Sequence, residues 1–423
     1  MNAHVNPSLV KGTIALPSSK SMMQRICALA LLHQGETIIH NPGISEDDQG
    51  AIRVIESLGA MVTFEDSKLK IVSQGNINPI KEINFGESGL SCRMFTPLLA
   101  LLNNRIRLDA KGSLLRRDMT DLISLLTFLD VKVVASNSFL PIEIEGPLVP
   151  SDICIDGSKS SQYVTGLILA YAYAASSPLV LKVEHAVSKP YIGLTLDCLK
   201  PFGYQVQHEN YESFFFNKKK SMDRKIEITI EGDWSSASFL LVAGVIAGDL
   251  TITGLNTNSS QADVAVLEIL RAVKADIEIY SDFIKVRQTL NLVSFEFDAT
   301  HSPDLFPILV CLAAFCTGRS VIKGVGRLIN KESNRASSIL DVFGKLGVIL
   351  HIDGDVMYIN GGAAIKSCSA SSHHDHRIAM TAAIAALRAN GSVIIEHAEA
   401  VNKSYPDFFN VLKSLGASVS LTY

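Results

Sequence analysis

The sequence predicts a mixed α/β protein built from six copies of one unit and divided into at least two domains. Three observations lead there. The chain has 423 residues, two to four times the ~100–200 of a typical domain. Six short polar stretches, starting at 19, 88, 160, 235, 302 and 374, each introduce a long Ala- and Leu-rich run. Even spacing of such echoes marks repeated architecture. After each run, a second helix-like segment stops at a turn and enters an alternating, strand-like stretch.

The first two runs are MMQRICALALL after Ser19-Lys20-Ser21 and LSCRMFTPLLALL after Ser88-Gly89. YVTGLILAYAYAA follows Ser160-Ser161-Gln162, and ASFLLVAGVIAG follows Ser235-Ser236. LFPILVCLAAFCTG follows Ser302-Pro303-Asp304, and IAMTAAIAAL follows His374-Asp375-His376-Arg377. Each run is apolar almost all round, so each helix is expected to be buried on every side. The second helices end at SLGAMVTF, FLDVKVV, PFGYQVQ, AVKADIEI, KLGVILHI and SLGASVSL. In four of these, Gly59, Gly203, Gly347 and Gly416 stand where a helix C-terminus favours a left-handed residue. Ile226-Glu227-Ile228-Thr229-Ile230 is the clearest strand. No Gly/Ser-rich or Pro-rich linker separates the copies, so composition alone does not mark the domain boundaries.

Hydrophobic residues make up 47% and charged residues 19%, a globular composition. Lys+Arg 38 against Asp+Glu 42 gives a net charge of −4, which argues against a general nucleic-acid binder. A local anion site is still allowed, because a cleft can gather cations on an acidic surface. Leu305 to Cys316 is too short to span a bilayer, and Ser176-Ser177-Pro178 breaks the uncharged stretch from Tyr163 to Leu181. No basic head with an apolar stretch opens the sequence, so neither a signal peptide nor a membrane partner is expected. The seven cysteines (27, 92, 154, 198, 311, 316, 368) are scattered, without C-x-x-C. They are expected to be small buried hydrophobes in a cytoplasmic protein rather than a disulfide framework.

The polar residues before each buried helix carry the chemistry. A helix N-terminus offers unpaired N–H groups and a positive dipole end, which attract phosphate or carboxylate. Serines there also serve simply as N-caps, and for Ser235 and Ser236 the two readings stand even. Elsewhere charged neighbours favour the anion site. Lys20 and Arg25 flank the first helix start, Arg93 follows Gly89, and Arg117 lies in LLRRDMTD. Lys331, Glu332 and Arg335 form NKESNR; Asp375, His376 and Arg377 form DHR; Lys403 lies in NKSYPD. Cations recurring near helix starts of different repeats suit one polyanionic ligand set. Asp304 and Glu332, carboxylates among those cations, are candidate proton carriers or simply helix-start carboxylates. His373, His374 and His376 do not converge like H-E-x-x-H, and no nucleotide-binding glycine loop is present, so neither a metal nor a nucleotide cofactor is expected.

The segments LPSSKSMMQR, GESGLSCR, DGSKSSQYVTGLIL, SKPYIGLTL, EGDWSSASF, SPD, NKESNR, HDHRIAM and NKSYPDFF run in order through the chain. With them the chain resembles the EPSP synthase (3-phosphoshikimate 1-carboxyvinyltransferase) family across nearly its whole length. The resemblance implies a two-domain inside-out α/β barrel, with three βαβαββ repeats and buried parallel helices in each domain. One domain is expected at 21–231 and the other at 1–20 plus 232–423, with the substrates between them. The implied reaction moves the enolpyruvyl group of phosphoenolpyruvate to the 5-hydroxyl of shikimate 3-phosphate, with no cofactor and in a monomeric, cytoplasmic enzyme.

Carried over residue by residue, the resemblance implies shikimate 3-phosphate contacts for Lys20, Ser21, Arg25, Ser160, Ser161, Gln162, Ser188, Tyr191, Asp304, Arg327 and Lys331. It implies phosphoenolpyruvate contacts for Lys20, Gly89, Arg117, Gln162, Arg335, Arg377 and Lys403. Asp304 is the expected base and Glu332 the expected proton donor, with Lys20 completing the catalytic set. Asp375 and His376 are expected to support Arg377. The sequence departs from the family's common pattern at Gln24, Leu90, Met94, Arg327 and His374. The sister family that uses UDP-N-acetylglucosamine usually has a cysteine in the loop matching KGSLLRRDMTD, and none is present here. A non-catalytic anion binder on the same scaffold fits poorly with Lys20, Asp304, Glu332 and Arg377 all in place.

Overall fold

The structure is a computed structural model that describes residues 1–217 and 224–423. Each long apolar run forms a helix, and a second helix follows it. The first three repeats hold α1 (Lys20–Leu31) and α2 (Glu46–Ser57), α3 (Gly89–Leu99) and α4 (Thr120–Phe128), and α5 (Ser161–Ala174) and α6 (Lys189–Leu199). The last three hold α7 (Trp234–Ala247) and α8 (Val266–Ala272), α9 (Phe306–Phe315) and α10 (Arg335–Lys345), and α11 (His376–Ala386) and α12 (Phe408–Ser414).

The chain divides into two compact units, Ser18–Glu231 and Met1–Pro17 with Gly232–Tyr423. Each has its own apolar core. The first crossing falls at 17/18, three residues before the expected 20/21. The tethers explain it: Ser18 Oγ donates to the Asn41 carbonyl and the Ser19 N–H to the Glu231 carbonyl, while Pro17 accepts from the Asp233 N–H.

Among the described residues each unit carries three four-stranded sheets. All six sheets repeat one pairing order, a parallel pair extended by two antiparallel partners. In the third repeat, Ile153–Asp156 runs parallel to Leu179–Glu184, which pairs antiparallel with Ser213–Phe216, and that strand with Val206–Glu209. With two helices between the strands this is the βαβαββ unit. Three sheets take a strand from a distant part of the chain. Lys225–Thr229 joins Gln34–His40, and Val10–Ala15 joins Gly248–Thr253. Asn2–Val5 lies between Val393–Glu396 and Val419–Thr422.

The helices that open the repeats fill the cores, which makes each unit an inside-out barrel: helices within, sheets outside. In α7 every residue except Ser235 is buried, and in α9 every residue except Phe315. The sheets turn one face inward, as the alternation in Ser213–Phe216 shows, with Phe214 and Phe216 buried. In the unit holding both chain ends, α7, α9 and α11 pack against one another. In the other, α5 lies on α3 where Gly166 has no side chain; a Cβ there would stand 2.7 Å from the Arg93 carbonyl oxygen.

All six helix-to-strand junctions turn through a left-handed residue. Gly59, Gly203, Gly347 and Gly416 do so as expected, and Asp130 and Lys274 adopt the same conformation at φ 59° and 61°. One open reading is decided and one expectation is corrected. α7 is capped by Asp233, which accepts from the Ser236 N–H at 2.6 Å, and not by Ser235. The cysteines are all free, but Cys154 is exposed and Cys368 partly so. Cys154 stands on the outward face of Ile153–Asp156, where alternation sends it to solvent. Among the described residues no helix is long and apolar enough to cross a membrane.

Candidate active site

The expected residues gather in two clusters, one in each unit. In Ser18–Glu231, the cluster forms around the N-termini of α1, α3 and α5. Ser88 caps α3 by accepting the Ser91 N–H, and the Oγ atoms of Ser88 and Ser91 both donate to Gln24 Oε1 at 3.0 and 2.9 Å. That bond ties the start of α3 to buried α1. Gly89 opens α3, and a Cβ on it would lie 2.5 Å from Arg117 Nη1 and 3.0 Å from Arg93 Nη1. Arg93 reaches on to α5, with Nη1 on Gln162 Oε1 at 2.9 Å and Nε on the Tyr163 hydroxyl at 3.1 Å. Ser160 caps α5 through the Gln162 N–H. Gly89, Arg117, Gln162, Ser160 and Ser161 therefore stand at two adjoining helix ends with two guanidinium groups, a setting that favours an anion. Arg93 stands among the cations read near helix starts, but the resemblance assigns it no ligand contact.

Lys20 is the first residue of α1, and its Nζ lies 2.8 Å from Asp47 Oδ2 in the first turn of α2. Arg25 is almost wholly buried and donates to Thr195 Oγ1, Thr165 Oγ1 and the carbonyls of Ser21 and Tyr191. All four acceptors are uncharged, and burial pulls the Arg25 pKa down. A buried cation so placed lowers the cost of bringing an anion near. Ser188 is buried in a left-handed conformation just before α6, with Tyr191 in that helix's first turn.

The second cluster, in the unit with both chain ends, centres on Asp304 in the turn before α9. Arg335 Nη1 lies 2.8 Å and Lys331 Nζ 3.4 Å from Asp304 Oδ1, and Arg377 Nη2 lies 3.0 Å from Oδ2. Burial alone would raise the Asp304 carboxyl, but Arg377, Lys331 and Arg335 outweigh it and hold it well below the usual carboxylate range. Arg335 is buried and also grips Glu332 through Nη2 and Asp375 through Nε, the latter at 2.8 Å. Its pKa is raised, burial opposing and the three carboxylates prevailing. Burial lowers Lys331 and Arg327, with Asp304 pulling each back up. Lys403 Nζ donates to the His374 carbonyl at 3.1 Å.

Asp375 corrects one expectation. It caps α11 by accepting the Arg377 N–H at 2.9 Å, yet its carboxylate binds the side chain of Arg335 rather than that of Arg377. His376 is buried with its Nδ1 3.7 Å from Asp375 Oδ1. The sequence reading missed Asp263 altogether. This buried carboxylate accepts from Ser235 Oγ on one oxygen and has no hydrogen-bond partner on the other. Burial first and Asp304 second push it up to about 7, against Arg377. Its only sequence signal is a carboxylate in SSQADV, where a polar stretch gives way to a mostly apolar one.

A family model described as EPSP synthase (3-phosphoshikimate 1-carboxyvinyltransferase) matches residues 5–412. The chain is 34% identical to the 3-phosphoshikimate 1-carboxyvinyltransferase of Picrophilus torridus, over 98% of this chain and 99% of that one. It is 33% identical to the protein of that name from Clostridium acetobutylicum, over 98% and 97%. Its fold is similar to that of an EPSP synthase from Acinetobacter baumannii, with a TM-score of 0.81, 23% identity, and 99% and 100% of the two chains covered. The enolpyruvyl transferase NikO from Streptomyces tendae also gives 0.81, at 17% identity over 100% and 98%.

Proposed function

The chain belongs to the EPSP synthase family, and we propose that its two clusters act together on one pair of substrates. The enzyme transfers the enolpyruvyl group of phosphoenolpyruvate to the 5-hydroxyl of shikimate 3-phosphate, giving 5-enolpyruvylshikimate 3-phosphate and phosphate. This is a step of the shikimate pathway to chorismate and the aromatic amino acids.

The observation that carries the assignment of roles is the triple grip on Asp304. Two of the three cations on it, Arg335 and Arg377, are the expected ligands of phosphoenolpyruvate. While they hold Asp304, its carboxylate is a weak base. A phosphate and a carboxylate arriving beside them compete for the same N–H groups, and each charged hydrogen bond transferred is worth ~1.5–3 kcal/mol. Asp304 then loses its stabilising partners and its basicity rises. Substrate binding thus prepares the base that needs it.

Asp304 takes the 5-hydroxyl proton as that oxygen bonds to C2 of phosphoenolpyruvate, and Glu332 delivers a proton to C3. The resulting tetrahedral intermediate expels phosphate while a proton leaves C3, restoring the double bond. Lys331 and Arg327 hold the shikimate ring side. Ser160, Ser161, Gln162, Ser21, Ser188, Tyr191 and the charge of Arg25 take the 3-phosphate and its neighbours. Gly89, Arg117, Gln162 and Lys403 surround phosphoenolpyruvate with Arg335 and Arg377, and Lys20 faces both substrates. The reading includes a monomeric enzyme, and seven free cysteines support a reducing, cytoplasmic setting.

Ser161→Ala and Lys331→Ala lie in different units and test the reading by direct binding of shikimate 3-phosphate. Both are expected to weaken it; an effect confined to one unit would overturn shared binding. Phosphate release should occur with shikimate 3-phosphate and not with UDP-N-acetylglucosamine.

A further inference from the structure

A pair of imidazoles and a carboxylate meet beside the segments that lead to Arg377 and Lys403. His374 is exposed, and the side chains of His397 and Glu399 are 45% and 44% exposed. One ligand atom from each of the three lies within 4.8 Å of the others. The imidazole centroids of His374 and His397 are 4.1 Å apart with their planes at 34°. His397 Nδ1 is 3.9 Å from Glu399 Oε1. Glu399 Oε2 is 2.8 Å from the Met1 amine, which leaves Oε1 as the oxygen turned to the imidazole.

The backbone beneath is fixed. Both His374 and His397 adopt φ 56°, a left-handed conformation that costs a non-glycine residue energy. Ser372, wholly buried, accepts the His374 N–H at 3.2 Å and donates to the His397 carbonyl at 2.9 Å. Two strained residues from separate segments are thus fastened to one hydroxyl, with their rings adjacent and tilted.

We propose that His374, His397 and Glu399 form a binding site for a first-row divalent cation of borderline softness, zinc foremost. Two imidazoles and one carboxylate suit zinc, nickel or copper, whereas magnesium and calcium select oxygen donors. A tetrahedral zinc with bonds of ~2.0–2.1 Å holds its donors ~3.3 Å apart, so these partly exposed side chains need to close by up to about 1.5 Å. Three protein ligands leave a position for water. Among the described residues the other group of suitable donors, Glu332, Asp375 and His376, belongs to the catalytic cluster, where Arg335 already occupies both carboxylates.

The site joins the segment leading into Arg377 to the short helix Ala398–Lys403, and the His374 carbonyl holds Lys403 Nζ. A bound cation therefore cross-links the segments that carry two of the cations proposed for phosphoenolpyruvate. Affinities for metal and phosphoenolpyruvate are linked in consequence, each changing the other by the same factor. The metal site itself stands independently of those proposed roles.

Calorimetric titration of the full chain with zinc chloride tests it, alongside His374→Ala, His397→Ala, Glu399→Gln and Cys154→Ser. Circular dichroism checks that each variant is folded. The wild type and Cys154→Ser are expected to take up one zinc per chain, and each histidine variant to bind at least about tenfold more weakly. No uptake by the wild type, or uptake unchanged in both histidine variants, would overturn the site. Loss in Cys154→Ser alone would assign the zinc to the thiol and also overturn it. Should one histidine variant fail to fold, the other and Glu399→Gln carry the test.

Discussion

Arg377 holds Asp304 at two points, Nη2 on the carboxylate at 3.0 Å and Nη1 on the backbone carbonyl at 3.3 Å. The guanidinium therefore fixes both the charge and the position of the carboxylate. Removing either partner should expose what the other does alone.

Asp304→Ala should lose about 10²–10⁴-fold in kcat, the usual worth of a positioned general base. Shikimate 3-phosphate should still bind, because Lys331, Arg327 and the serine cluster remain. Steady-state kinetics with a separate binding titration would check this. Turnover close to wild type would remove Asp304 from the mechanism.

Arg377→Ala removes a charged donor, and such bonds contribute about 1.5–3 kcal/mol each. Phosphoenolpyruvate binding should weaken roughly 10–200-fold, as those energies imply. Unchanged affinity in a folded variant would place this arginine outside the site.

Gly89→Ala puts a methyl group 2.5 Å from Arg117 Nη1, closer than real Cβ contacts allow. The guanidinium must move. KM for phosphoenolpyruvate should rise while shikimate 3-phosphate binding stays near wild type. Equal losses for both substrates would show instead that α3 itself had shifted.

Asp263 gives a pH signature. Its pKa rises from 3.8 unfolded to about 7 folded, so folding favours the protonated carboxyl. The stability this gives is complete below about 4 and is lost as pH rises through 7. Asp263→Asn cannot ionise, so its thermal midpoint should gain on wild type between pH 5 and pH 8. One pKa unit corresponds to about 1.4 kcal/mol, so the gain at pH 8 is on the order of a few kcal/mol. A difference that stays constant across that range would rule out a buried ionising Asp263.

Much of this was legible in the chain. The six buried helices show as apolar runs, and four junction glycines mark the turns, because those features depend on local sequence. Asp130 and Lys274 show that the turn does not demand glycine, so the remaining junctions carry no such mark. Asp304, Glu332 and the cations stand out because they cluster in or beside the short polar stretches that open the helices. Their partners do not. That Asp375 binds Arg335 follows from how α10 and α11 pack, and that packing leaves no periodic trace. Asp263 was missed because a lone carboxylate in sequence looks like any solvated one until tertiary packing buries it. The crossing at Pro17 likewise depends on backbone hydrogen bonds between residues far apart in the chain.

The strand Asn2–Val5 lies between Val393–Glu396 and Val419–Thr422. On the ribosome it is made before the Ser18–Glu231 unit, whereas both its neighbours are made after that unit. The Ser18–Glu231 unit can assemble as it emerges, since its three sheets use only its own strands. The leading strands must wait unpaired through all of that synthesis, with Val10–Ala15 released first by Gly248–Thr253. Their short length and the polar residues on their outer faces limit the danger of that wait, because a brief, polar edge makes a poor template for a neighbouring chain. The second barrel is thereby completed only once Val419–Thr422 has been made.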